Sequence, residues 1–154
     1  MRLTAEEIIG LKSPPYTVPV EKGQLKFFAK ATGITDPIYI DEAAAKQAGY
    51  ASLPVPPTFL FSLCMLRPDS PTDLDKLGFD LSGVLHGEQK FDYYRPVCAG
   101  DEITLQGEIV DYYEKKGGAL KFLKETTTAT NQHGVKVADL TNIAVIREMP
   151  SEAG

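Results

Sequence analysis

The strongest constraint on this chain lies between residues 84 and 147, where runs of alternating apolar and polar residues follow one another with only short breaks. VLHGEQKFDYYR (84–95) stops at Pro96 and a CAGD turn, and EITLQGEIVDYYE (102–114) ends at Lys115-Lys116-Gly117-Gly118. ALKFLKETTTAT (119–130) ends at Asn131-Gln132-His133-Gly134, and VKVADLTNIAVIR (135–147) follows. Leu105 and Ile109, Leu120 and Phe122, then Ile143 and Val145 carry the period of two that turns one face of each strand inward. Each run is about 12 residues, roughly twice the usual strand. Long antiparallel strands joined by hairpins curve strongly, and a curved sheet has a hollow that something apolar must fill.

Only one segment fits that role. In VPPTFLFSLCMLRPD, Pro56 and Pro57 suit a helix start and Pro68 stops it. Phe59, Leu60, Phe61, Leu63, Cys64, Met65 and Leu66 cover every side of the intervening helix, so it is expected to be buried all round. An α+β fold follows: a hot-dog, with a long curved antiparallel sheet wrapped around a central helix at about 57–67. Upstream, YTVPV (16–20) reads as a short strand. EKGQLKFFAKAT (21–32) reads as an amphipathic helix with Leu25, Phe28, Ala29 and Thr32 on one stripe. DEAAAKQAG reads as another helix, with Asp41 as N-cap and Gly49 at its C-terminal end. The 154 residues are expected to form one domain, with the final PSEAG frayed.

Composition excludes several function classes. A net charge of −5 without a basic stripe argues against nucleic acid and against an anionic membrane surface. Cys64 and Cys98 are the only cysteines, so neither a disulfide framework nor a cysteine-rich metal site is expected. No phosphate-binding glycine loop, G-x-S-x-G, C-x-x-C or histidine pair at metal spacing is present, and no cofactor is expected. The run FLFSLCML is too short to span a bilayer, and the N-terminus has no apolar stretch of signal-peptide length, so the expected location is cytoplasmic.

Two stretches carry a resemblance: ATGITDPIYIDEAAAKQAGY with the VPPTF after it, and LHGEQKFDYYRPVCAGDEI with the later YYEKKGGALKF. Together they resemble the MaoC-like dehydratase and (R)-specific enoyl-CoA hydratase family, in particular its N-terminal-type, less catalytic hot-dog domain. The resemblance implies acyl thioesters, 3-hydroxyacyl or trans-2-enoyl, carried on coenzyme A or acyl carrier protein. It also implies hydration or dehydration. That chemistry needs a base for water, an acid for the α-carbon and donors that polarise the thioester carbonyl. The family motif runs Gly, Asp, any residue, Asn, Pro, aliphatic, His. Gly33, Pro37 and Ile38 match it, whereas Ile34 stands at the aspartate position, Asp36 at the asparagine and Tyr39 at the histidine. The glycine whose N–H would face the thioester oxygen corresponds to Pro57, which has no N–H.

Candidates for the missing groups are Asp36, Tyr39 and His86. Asp36 also suits a turn before Pro37, and Tyr39 suits packing at the helix entrance. His86, Glu88, Lys90 and Asp92 alternate onto one strand face, so an imidazole would stand beside the Glu88 carboxylate, or that face meets solvent or a partner. His133 belongs to a hairpin. Thr58 offers an N–H and a hydroxyl at the helix start, and Phe59, Phe61 and Met65 are candidates to line an acyl tunnel.

Three functions stay open: a hydro-lyase using displaced groups, a non-catalytic acyl-binding subunit completing a dimer with a MaoC-like partner, or a thioester-binding or thioesterase-like homodimer. A thioesterase needs a carboxylate on the central helix, and 57–67 has none. A free sheet edge argues for a homodimer or a heterodimer in every case.

Overall fold

The computed structural model describes residues 3–148; the PSEAG tail lies outside them. Helix α1 (Ala5–Ile8) was not legible in the pattern. It is built on a capping box in which Thr4 accepts from the Glu7 N–H and Glu7 accepts from the Thr4 N–H at 2.8 Å. Strand β1 (Tyr16–Pro19) and helix α2 (Lys22–Ala31) follow as expected, then α3 (Glu42–Gln47) with Asp41 as its cap. Helix α4 (Leu60–Cys64) precedes the long strands β2 (Val84–Tyr93), β3 (Glu102–Lys115), β4 (Leu120–Thr130) and β5 (Lys136–Arg147).

The five strands form one antiparallel sheet in the order β1-β3-β4-β5-β2. Strand β2 crosses to the far side of β5 and leaves a ten-residue edge. This order was not readable from the sequence. Leu60 and Leu63 of α4, each 1% exposed, pack with Leu25 and Phe59 against Leu105, Ala129, Ala138 and Leu140 of the sheet. Burial of each such leucine contributes about 2 kcal/mol. A second cluster joins Ile8, Leu77 and Phe79 to Ile109, Leu123 and Ile146.

The central helix differs from expectation in two ways. Its α-helical part is Leu60–Cys64 rather than 57–67, because Thr58 takes a left-handed φ of 70° that breaks helical phase. It is also not covered all round: Met65 is 70% and Leu66 52% exposed. The sheet covers one side of the helix segment and α2 packs on part of the rest, and among the described residues none covers Met65 and Leu66.

Candidate functional site

The loop after α2 is a connector between two caps. The Ile34 N–H closes the helix end on the Ala29 carbonyl at 2.8 Å. Asp36 accepts from the Ile38 N–H at 3.2 Å and so caps the 3-10 turn Pro37–Tyr39. Asp41 accepts from Ala43 at 3.0 Å and caps α3. Asp36 is exposed, while Tyr39 is half-buried. Burial holds the Tyr39 phenol above the ordinary tyrosine value, and the neighbouring Tyr50 and Asp36 push it the same way. A phenol so placed is a poor proton shuttle near neutrality.

At the start of α4, the Thr58 N–H donates to the Tyr93 hydroxyl at 2.9 Å. The Thr58 amide, the candidate donor at the helix start, is thus already satisfied by β2. Pro57 before it has no donor, and the five-residue α4 has little dipole to add. Around this end lies a cavity of about 350 Å³ lined by Tyr50, Pro57, Leu60, Tyr93 and Arg95. Phe59 is 3% exposed and meets Phe28 edge-on at 5.4 Å, so its ring belongs to the core.

His86 and Glu88 do not share a face. Gly87 is the extra residue of a bulge: His86 pairs with Ala144, whereas Glu88 pairs with Ile143. Directly paired residues project to the same side of a sheet. His86, Gln89, Phe91 and Tyr93 therefore line the concave face, and Glu88, Lys90 and Asp92 the convex one. The Lys90–Asp92 ion pair, 2.8 Å, lies on that outer surface. His86 contacts Phe61 edge-on, ring centres 5.8 Å apart. Seven residue steps separate it from Tyr93 along the strand, roughly 23 Å, so it does not join Thr58 at the same end.

His86 instead borders a second cavity, of about 320 Å³, behind the C-terminal half of α4. Glu125, Asn142 and Gln89 face it in one register row across β4, β5 and β2. Arg67 reaches across from the helix side to Glu125 at 3.1 Å and to Asp73 at 2.5 Å. Burial raises the Glu125 carboxyl above its ordinary value despite the Arg67 charge. The Cys64 thiol is pushed up to about 11 by burial and by Glu125, so it is not an activated nucleophile. Sequence reasoning passed over this row. The available signal was parity: Glu125 falls on the same strand face as Leu123 and Ala129, and Asn142 on that of Leu140.

A five-stranded antiparallel sheet curled over a short helix, with the capped loop at 31–41 leading into it, defines a hot-dog of the MaoC-like dehydratase type. Residues 7–140 match the model of the FAS1-like, dehydratase domain region family. The chain belongs to that family, and within it to the UPF0336 proteins. A UPF0336 protein of Streptomyces avermitilis is 42% identical over 106 residues, 68% of this chain and 70% of that one. Among solved structures, a chain of the C-terminally truncated HadBC (3R-hydroxyacyl-ACP dehydratase) complex from Mycobacterium tuberculosis is similar with a TM-score of 0.77 and 25% identity. That match covers 92% of this chain and 99% of the other. A MaoC-like dehydratase gives a TM-score of 0.83 at 23% identity, covering 94% of this chain and 43% of that one. No helix among the described residues is long and apolar enough to cross a membrane.

Proposed function

We propose that this chain is a non-catalytic, acyl-thioester-binding subunit of a hydratase or dehydratase, completed by a MaoC-like partner that supplies the aspartate and histidine. The thioester is 3-hydroxyacyl or trans-2-enoyl, on coenzyme A or acyl carrier protein. One observation carries the reading: the Thr58 N–H, the donor a reacting carbonyl would need, is tied to Tyr93. Around it the acid–base positions are taken by Ile34 and Tyr39, and Asp36 serves as a turn cap. Acid and base groups each contribute roughly 10²–10⁴-fold in rate, so their replacement leaves binding without turnover. The similar HadBC structure is of a complex. In this chain the ten-residue edge of β2 is the surface on which a second sheet would pair.

The test is to assay the purified chain with a short trans-2-enoyl-CoA, alone and mixed with a MaoC-like chain carrying the Asp and His of the motif. The expected result is binding without hydration alone, and hydration in the mixture above that of the partner by itself. Robust turnover by the isolated chain, lost in Asp36→Asn, would overturn the reading in favour of an autonomous hydro-lyase.

A further inference from the structure

The cavity at the start of α4 lies between two irregular segments, 53–57 and 93–98. Prolines interrupt both, and backbone hydrogen bonds tie them to each other. The Val55 N–H donates to the Val97 carbonyl and the Ala99 N–H to the Leu53 carbonyl, each at 2.8 Å. The Tyr94 N–H is held on the Val137 carbonyl, also at 2.8 Å. The hollow of about 350 Å³ is therefore preformed. Every polar side chain lining it can donate a hydrogen bond, and none is a carboxylate. Tyr93 Oη has accepted the Thr58 N–H, and its own proton has no acceptor among the described residues. The Tyr50 hydroxyl makes no hydrogen bond among them either. The Arg95 guanidinium donates only to the Tyr94 carbonyl, at 2.8 Å through Nη1, and has no ion pair among the described residues. Tyr94 contributes its ring alone, since its hydroxyl donates to Asp139, whose charge Lys136 offsets.

We propose that this cavity binds a small free monocarboxylate with a compact apolar body, its carboxylate held by Arg95 and the Tyr93 hydroxyl. Unspent donors beside an unpaired cation call for an anion, and a planar guanidinium matches a carboxylate through two parallel hydrogen bonds. A single cation selects a single negative charge. A phosphate dianion would keep a second charge against proline, leucine and valine side chains, which is costly. Pro54, Leu60 and Val97, with the Tyr50 and Tyr93 rings, fit an apolar or aromatic body. Tyr93 is 49% and Tyr94 44% exposed, aromatic surface of the kind that a bound ring covers. The inference goes beyond the proposed function and does not rest on it: the ligand is a free acid, and the Thr58 amide takes no part in holding it.

Calorimetry on the full chain sets phenylacetate against its methyl ester, with inorganic phosphate as a third probe. Phenylacetate should bind with a Kd of about 1 mM or tighter, and the neutral ester roughly ten- to a hundredfold more weakly, the worth of a charge-assisted hydrogen bond. Arg95→Gln, at an exposed position, should abolish that preference. Lys26→Gln removes an exposed cation of α2 that lies outside the cavity, and should leave the preference intact. In the wild type, phenylacetate should shift the backbone amide resonances of Tyr93, Arg95 and Val97. Equal binding of acid and ester, a preference that survives Arg95→Gln, or phosphate held as tightly as phenylacetate would overturn the inference. So would the absence of phenylacetate binding. If phenylacetate fails to bind while a short trans-2-enoyl-CoA still does, this site is removed and the subunit proposal stands. Binding of phenylacetate that depends on Arg95, with no thioester bound, would keep the site and remove the thioester reading.

Discussion

Tyr93 Oη accepts a 2.9 Å hydrogen bond from the backbone N–H of Thr58, a residue held at φ 70°. A threonine in left-handed backbone is uncommon because its branched Cβ crowds the chain. The tyrosine at the end of the edge strand holds that turn, after which α4 begins at Leu60, and it occupies the Thr58 N–H. Two residues far apart in sequence thus decide the character of the whole helix entrance.

Thr58→Gly should relieve the left-handed strain at an exposed site, a gain of order 1 kcal/mol reduced by the extra freedom of glycine when unfolded. A net rise of up to about 1 kcal/mol is expected. Tyr93→Phe removes the acceptor and should cost about 1 kcal/mol. Urea unfolding midpoints at constant m-value check both, and a loss of stability in Thr58→Gly would contradict the strain.

Asp36 is the sharpest discriminator between cap and catalyst. Asparagine caps a helical turn as well as aspartate, so Asp36→Asn should leave stability within about 0.5 kcal/mol, whereas Asp36→Ala should cost about 1 kcal/mol. In the complex with a catalytic partner, turnover should be the same for wild type and Asp36→Asn. A large drop in turnover at unchanged stability would mean the carboxylate charge works in the reaction.

Much of the fold was legible in the strands from 84 onward, because period two, hairpin glycines and Pro96 all point the same way there. The hydrophobic helix was legible as a segment, but its length was not. Composition around Thr58 gives no hint of a left-handed residue, which depends on Tyr93 arriving from a distant strand. The site was harder. A bulge reverses strand parity with no mark beyond a glycine, so His86 and Glu88 looked like neighbours although the sheet separates them. Conversely, Glu125 and Asn142 sit on inward parity in plain view, and only pairing across three strands lines them up with Gln89.

Gly87 is required by its surroundings. A Cβ there would lie 2.7 Å from Val145 Cγ2 and 3.0 Å from the Ile143 carbonyl oxygen, and the backbone oxygen cannot retreat without breaking the ladder. Gly87→Ala should therefore cost about 1–3 kcal/mol. Gly23 in α2 has nothing within 4 Å of such a Cβ, and Gly23→Ala should instead stabilise by about 0.5 kcal/mol. Opposite signs in one denaturation series would tie the bulge, rather than glycine content, to stability.

The Glu125 carboxyl gives a pH signature of known sign. Its folded pKa is raised above the ordinary 4.5, first by burial. Between 4.5 and the raised value the folded state therefore holds more protons than the unfolded one, and stability falls as pH rises. Below that window both states are protonated, and above it both are ionised, so the contribution is flat at either end. Glu125→Gln cannot titrate, and wild-type stability relative to this variant should decline as pH rises through the window. Arg67→Met removes the cation that opposes the shift, so the decline should steepen and extend to higher pH. It should also cost about 2–3 kcal/mol near neutrality, less than the roughly 3–5 kcal/mol for breaking a fully buried pair because the Arg67 side chain is 27% exposed. Guanidinium melts at a series of pH values measure both variants. A wild-type-minus-Gln difference that rises with pH would mean that the Arg67 pairing outweighs burial.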